Sequence, residues 1–150
     1  MKNKKLWIAY IITDWITAIT SWSIFNLFRK KIIEDQPFEI DLNFKFSILI
    51  IPIFWLLLYF SFGTYKNVYR RHRIKEISQT LLVSILGIFL IFFTFLLDDQ
   101  ISTYRDYYIL ILGLFAMHTS ITLIPRFILT SNTVKKIHQR KIGFPTLIIG

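Results

Sequence analysis

The stretch FKFSILIIPIFWLLLYFSF, residues 44–62, carries one charged side chain, Lys45, in nineteen positions. Wound as a helix at 1.5 Å per residue it is about 28 Å long, close to the roughly 30 Å hydrocarbon core of a bilayer. A helix apolar on every side has no solvated face, so it belongs in lipid or deep inside a large protein. Three further runs of this kind flank it, and the spans are placed at 6–28, 44–62, 77–97 and 107–129. Lipid offers no partner for exposed backbone amides, so single segments of this length must be helical.

Composition agrees with lipid as the solvent. Of 150 residues 54% are apolar and 17% aromatic, with a mean hydropathy of +0.52. That apolar content excludes a disordered tail. The absence of cysteine excludes a disulfide-stapled module, thiol chemistry and cysteine metal sites. A net charge of +9 would suggest nucleic acid in a soluble protein. Here it must be read loop by loop against an anionic membrane, and no nucleic-acid partner is expected.

Charge distribution sets the expected orientation. Lys and Arg number three before the first span, four around the first loop, five in the second, one in the third and five from Arg126 onward. One side thus carries thirteen and the other five, while Glu34, Asp35, Glu39, Asp41, Asp98, Asp99 and Asp106 lie on the poorer side. The positive-inside rule then puts both termini and the Lys66 to Glu76 loop in the cytoplasm. The first span follows Lys2, Lys4 and Lys5 as a signal peptide would. It runs past twenty residues with Trp15 and Trp22 where small residues should allow cleavage, and is read as an uncleaved anchor. Short loops predict an up-down bundle of antiparallel neighbours.

Ionisable groups within a span cost roughly 2.5–3.5 kcal/mol on insertion scales, so each asks for a partner or a task. Asp14 lies about 12 Å in from one end of the first span, with Thr17 and Ser21 on its face. His118 lies about 16 Å in from the same side of the fourth. Two readings stand: an intramembrane Asp14–His118 contact, or Asp14 bonded to local hydroxyls or water. A proton relay would need more such groups than these two. Arg126, near the end of its span, reads as an interfacial anchor that snorkels to the surface. Thr80, Ser84, Gly87 and Thr94 form a strip of small residues suited to close helix approach. Pro52 removes a backbone bond to Ile48 and predicts a kink. Trp7, Trp15 and Trp22 form an aromatic stripe, read as lipid-facing or packing.

The second loop holds Lys66, Arg70, Arg71, Arg73 and Lys75, and each cation near an anionic surface is worth about 1 kcal/mol. As lipid-phosphate or membrane-surface contacts Arg70, Arg71, Arg73 and Lys75 are the candidates; a topology signal alone is the other reading. Arg70, Arg73 and Glu76 recur every three residues and would line one strip of a helical turn. Beyond Leu129 the chain turns polar and basic to Gln139. Residues 140–145 then read as a linker, and Thr146 to Gly150 as the first strand of a cytoplasmic α/β unit. The expected organisation is a four-helix transmembrane domain over 1–139 and the opening of a second domain over 140–150. The fold class is thus all-α membrane, four antiparallel transmembrane helices with both termini cytoplasmic, ending in the first strand of a truncated Rossmann-like domain.

Gly63, Tyr65, Arg70, Arg73 and Glu76, the Leu97-Asp98-Asp99 end of the third span, Arg126 with Thr130, and Arg140 to Phe144 with Thr146 to Gly150 together resemble one family. It is the amino-terminal membrane region of bacterial polyprenyl-phosphate sugar-1-phosphate transferases. The resemblance implies a cytoplasmic Rossmann-like domain and a catalytic domain beyond residue 150. That catalytic domain carries an Asp-Glu pair and Mg²⁺ and moves a sugar phosphate from a nucleotide sugar to undecaprenyl phosphate. It also implies the bacterial cytoplasmic membrane, contact with membrane lipids and undecaprenyl phosphate, and an oligomerisation surface. No catalytic residue and no cofactor carries over to the present chain. Asp98 and Asp99 fall on the non-cytoplasmic side, away from nucleotide sugars, and read as a solvated helix end. The membrane domain of a nucleoside-diphosphate-sugar dehydratase or epimerase, or a free-standing four-helix polyprenyl-lipid carrier, are the alternatives.

Overall fold

The structure, a computed structural model, describes residues 2–33, 40–66, 72–96 and 104–139. Four helices make it up: α1 (Lys2–Phe28), α2 (Leu42–Ser61), α3 (Arg73–Ile91) and α4 (Tyr104–His138). A π-helical turn, Arg29–Ile33, prolongs α1, and another, Phe92–Leu96, prolongs α3. All four are long and apolar enough to cross a membrane. The chain is therefore a multi-pass membrane protein by length and composition. The strand expected at 146–150 and the acids Asp98 and Asp99 lie outside the described residues.

Neighbouring helices run antiparallel, as their bonded residues show. Between α1 and α4 the pairs are Tyr10 with Thr130, Asp14 with Arg126, and Ser21 with His118. Trp22 donates from Nε1 to Ser47 of α2 at 2.8 Å, while Asp14 meets Tyr65 beyond the far end of that helix. Thr80 and Arg126 join α3 to α4. The α1 helix packs on α2 and α4, and α3 lies mainly on α4.

Small residues decide how closely α2 and α3 approach. A Cβ on Gly87 would stand 2.4 Å from the Trp55 ring and 2.8 Å from Leu58, so only glycine lets the indole lie flat there. Thr80 and Ser84 of the same strip are buried, whereas Thr94 is exposed and bonds back to Leu90 O. The tryptophan stripe divides: Trp22 is buried and Trp7 is exposed to the surroundings. Helix α2 continues through Pro52, which is buried.

Polarity is reversed relative to a soluble bundle. Leu57, Phe60 and Leu112 are more than 60% exposed, yet Asp14, Glu76, His118 and Arg126 are at most 1% exposed. Lipid as the outer solvent accounts for the first set, because apolar side chains need no cover there. The second set must be satisfied inside the bundle.

A tight turn closes α2. Gly63 adopts φ +64, the left-handed conformation that side chains resist. The Thr64 amide reaches back to Tyr59 O at 2.9 Å and the Gly63 amide to Phe60 O at 3.0 Å. These two bonds satisfy the last carbonyls in the manner of a Schellman motif. Gln79 of α3 pins the turn by donating to Phe62 O at 2.8 Å and to Thr64 Oγ1 at 3.3 Å. Tyr65 is thereby folded back into the bundle, where it is buried.

Candidate functional site

Asp14 and Arg126 form the centre of a buried polar cluster. Arg126 donates from Nε to Asp14 Oδ1 at 2.7 Å and from Nη2 to Oδ2 at 2.6 Å, with both side chains fully buried. This two-pronged geometry matches the planar guanidinium to the carboxylate and uses it fully. Tyr65, from the turn after α2, adds a third donor to Asp14 Oδ2 at 2.7 Å. Burial pushes the Tyr65 phenol well above its ordinary range, and the facing Asp14 carboxylate adds to the effect.

Arg126 is shared beyond Asp14. Its Nη1 donates to Thr80 Oγ1 at 3.3 Å and lies 3.7 Å from Glu76 Oε1. The ring of Tyr59 sits beneath the guanidinium carbon at 3.9 Å, a cation–π contact in a desolvated setting. Thr130 donates to Glu76 Oε2 at 3.3 Å. Since that uses the single hydroxyl proton of Thr130, the 2.6 Å contact with Tyr10 Oη has the tyrosine as donor. One guanidinium is thus held among two acids, and all four helices or their connecting turns contribute.

A second layer lies deeper in the bundle. His118 stacks on Trp55 at 3.6 Å between ring centroids and 11° between planes. Its Nε2 meets Tyr59 Oη and its Nδ1 meets Ser21 Oγ, each at 3.1 Å. Tyr59 therefore joins the layers, ring under Arg126 and hydroxyl on His118.

Two expectations are corrected by this geometry. The first is the Asp14–His118 contact. Asp14 takes Arg126 and Tyr65, while His118 takes Ser21 and Tyr59, so the two residues share no bond. The residue numbers of bonded pairs across α1 and α4 add to 139 or 140, whereas span ends at Leu6 and Leu129 would predict 135. That slip of about one helical turn arises because α4 runs on to His138. The local hydroxyls do not take the Asp14 carboxylate either: Thr17 bonds the Asp14 carbonyl and Ser21 that of Ala18. The second is Arg126 as an interfacial anchor. It is 0% exposed and turned inward, because a carboxylate at its own depth compensates it more fully than a distant headgroup.

The basic loop is also partly reassigned. Glu76 is buried against Arg126 and does not share a surface strip with Arg73, which is exposed, as is Lys75. Arg70 and Arg71 lie outside the described residues. Tyr10 and Tyr59 were not legible as site residues, since tyrosines near span ends ordinarily read as interface anchors. A signal was present on α4, where His118, Thr122, Arg126 and Thr130 recur every four residues and mark one polar face. Among the described residues no group of three or more His, Asp or Glu comes together. Asp14 and Glu76 are both engaged by Arg126.

No family model, curated protein or solved structure matches this chain.

Proposed function

We propose that this chain is the membrane domain of a polyprenyl-phosphate sugar-1-phosphate transferase, anchoring the enzyme that loads a sugar phosphate onto undecaprenyl phosphate. One observation carries the reading. Tyr65, Glu76, Arg126 and Thr130, four of the residues on which the resemblance rests, come from two stretches well separated in sequence yet belong to one buried cluster. A motif set that shares one structural task is a better guide to kinship than scattered matches.

The reach of α4 supports the same role. Thirty-five residues make a helix of about 52 Å, well beyond the hydrocarbon thickness. It projects past the bilayer at the end bearing Lys135 and Lys136, the side that the thirteen-to-five charge bias assigns to the cytoplasm. There it leads into residues 140–150, read as the approach to an α/β domain, with the bacterial cytoplasmic membrane as the site of action. Arg73 and Lys75, exposed at the start of α3, stand with Arg70 and Arg71 as contacts for the lipid phosphate. In this role the helical domain performs no chemistry itself.

The test uses membranes carrying the full-length parent protein, incubated with Mg²⁺, undecaprenyl phosphate and UDP-glucose or UDP-galactose labelled in the sugar. Label is expected in a lipid-extractable sugar pyrophosphate. A nucleotide sugar converted in solution to a keto-sugar, with no labelled lipid, would replace the transferase with the dehydratase alternative.

A further inference from the structure

The outer face of α1 and α2 carries a groove of about 270 Å³ lined by Ile11, Ile53, Leu56, Leu57, Phe60 and Tyr65. Its walls lie within two helices apolar enough to span the membrane, apart from Tyr65 in the turn that follows. The Tyr65 hydroxyl is committed to Asp14, so the ring and not the oxygen faces the groove. Water gains nothing in a space without polar partners, whereas hydrocarbon fits it. At roughly 30 Å³ per small heavy-atom group, the space takes on the order of nine carbons of one chain.

The turn that supplies Tyr65 to the groove is built and carries charge. Gln79 and the α2 carbonyls hold it in place. Lys66 is exposed and folds its stem back over Gly63, where a Cβ would lie 3.5 Å from Lys66 Cδ. Arg73 and Lys75 lie exposed at the same end of the bundle. A hydrocarbon chain seated between Ile53 and Phe60 would bring its headgroup to this cationic rim.

We propose that the groove holds one acyl chain of an anionic phospholipid, with the headgroup phosphate at Lys66. Such a lipid packs on the outer face of the Tyr65 ring whose hydroxyl supports Asp14. The bound chain then closes the bundle core from the membrane side, and the stability of the Asp14–Arg126 pair becomes sensitive to lipid composition. This site stands whether or not the protein transfers sugars.

The purified full chain in phosphatidylcholine nanodiscs, doped with phosphatidylglycerol bearing a tail diazirine, is irradiated and digested. Label is expected to concentrate on the peptides containing Ile11 and residues 53–65. Leu57→Trp, at a lipid-exposed position where folding is retained, should lower that label several-fold by filling the groove. Lys66→Gln should abolish the preference over a phosphatidylcholine probe with the same tail. Label spread evenly over the exposed α3 residues Leu82, Ile85 and Phe89, or unaffected by both substitutions, overturns the proposal. Displacement by farnesyl phosphate at lower concentration than by phosphatidylglycerol also overturns it, since the groove would then belong to a single-chain lipid phosphate.

Discussion

Arg126 of α4 grips Asp14 of α1 through two hydrogen bonds of 2.6 and 2.7 Å, across 112 residues of sequence and wholly out of contact with the surroundings. Each group would be prohibitive alone at that depth. Together, with Tyr65, Thr80 and Glu76 arranged around them, they lock the first and last helices in one register. Buried ion pairs are a weak argument for net stability but a good one for a unique arrangement, because any other register strands a charge.

Removing Arg126 alone should therefore cost more than removing Arg126 and Asp14 together. Arg126→Met leaves Asp14 and Glu76 facing each other without a cation and is expected to destabilise the bundle by about 3–5 kcal/mol. Asp14→Leu leaves Arg126 with Glu76 and should cost less. The double variant should be more stable than Arg126→Met alone. Unfolding curves in mixed micelles measure all three, and strict additivity would show that the pair is uncoupled.

Coupling should be strong between Asp14 and Arg126 and near zero between Asp14 and His118. A double-mutant cycle on the first pair is expected to give an interaction of about 1 kcal/mol or more, against less than about 0.5 kcal/mol for the second. The His118→Phe substitution preserves the stack on Trp55 while leaving Ser21 and Tyr59 short of a partner. Its cost should be about 1–3 kcal/mol.

Gly87→Ala should disturb the Trp55 stack directly. Overpacking of a close-packed contact costs about 1–3 kcal/mol. Trp55→Leu in the same chain should recover part of that loss, since the clash is with the indole ring. Failure of the second substitution to rescue the first would point to the Leu58 contact as the source of the strain.

Tyr65 should resist ionisation while the bundle is folded. Its raised phenol pKa means that the folded state holds the proton more tightly than the unfolded chain, whose tyrosines ionise near pH 10. The resulting stability is fully present below about pH 10 and declines above it as the unfolded state ionises. Tyrosinate absorbance of the folded protein and of Tyr65→Phe should superimpose up to about pH 11. Excess tyrosinate in the wild-type protein below that pH would contradict the buried bond to Asp14.

Much of the architecture was legible because bilayer thickness is a length that sequence must match. Four apolar runs, the close-packing strip at Thr80, Ser84 and Gly87, and the oddity of Asp14 and His118 were all visible as residue patterns. Their partners were not. A span boundary judged by hydropathy is uncertain by several residues, and on a helix four residues bring a different neighbour to the same height. That margin separates Thr122 from Arg126 as the group facing Asp14, and His118 lies one turn further along the same face.

By itself the sequence determined that four segments are long and apolar enough to cross a membrane, and that in hydrocarbon such segments must be helical to satisfy their backbone. It also determined which groups would be costly there. Only the tertiary structure decided that Arg126 turns inward, that Glu76 leaves the surface strip to join it, and that Tyr59 links the two polar layers. The physical reason is that hydropathy is a property of each segment, whereas the compensation of a buried charge depends on which atoms of other helices stand within about 3 Å of it.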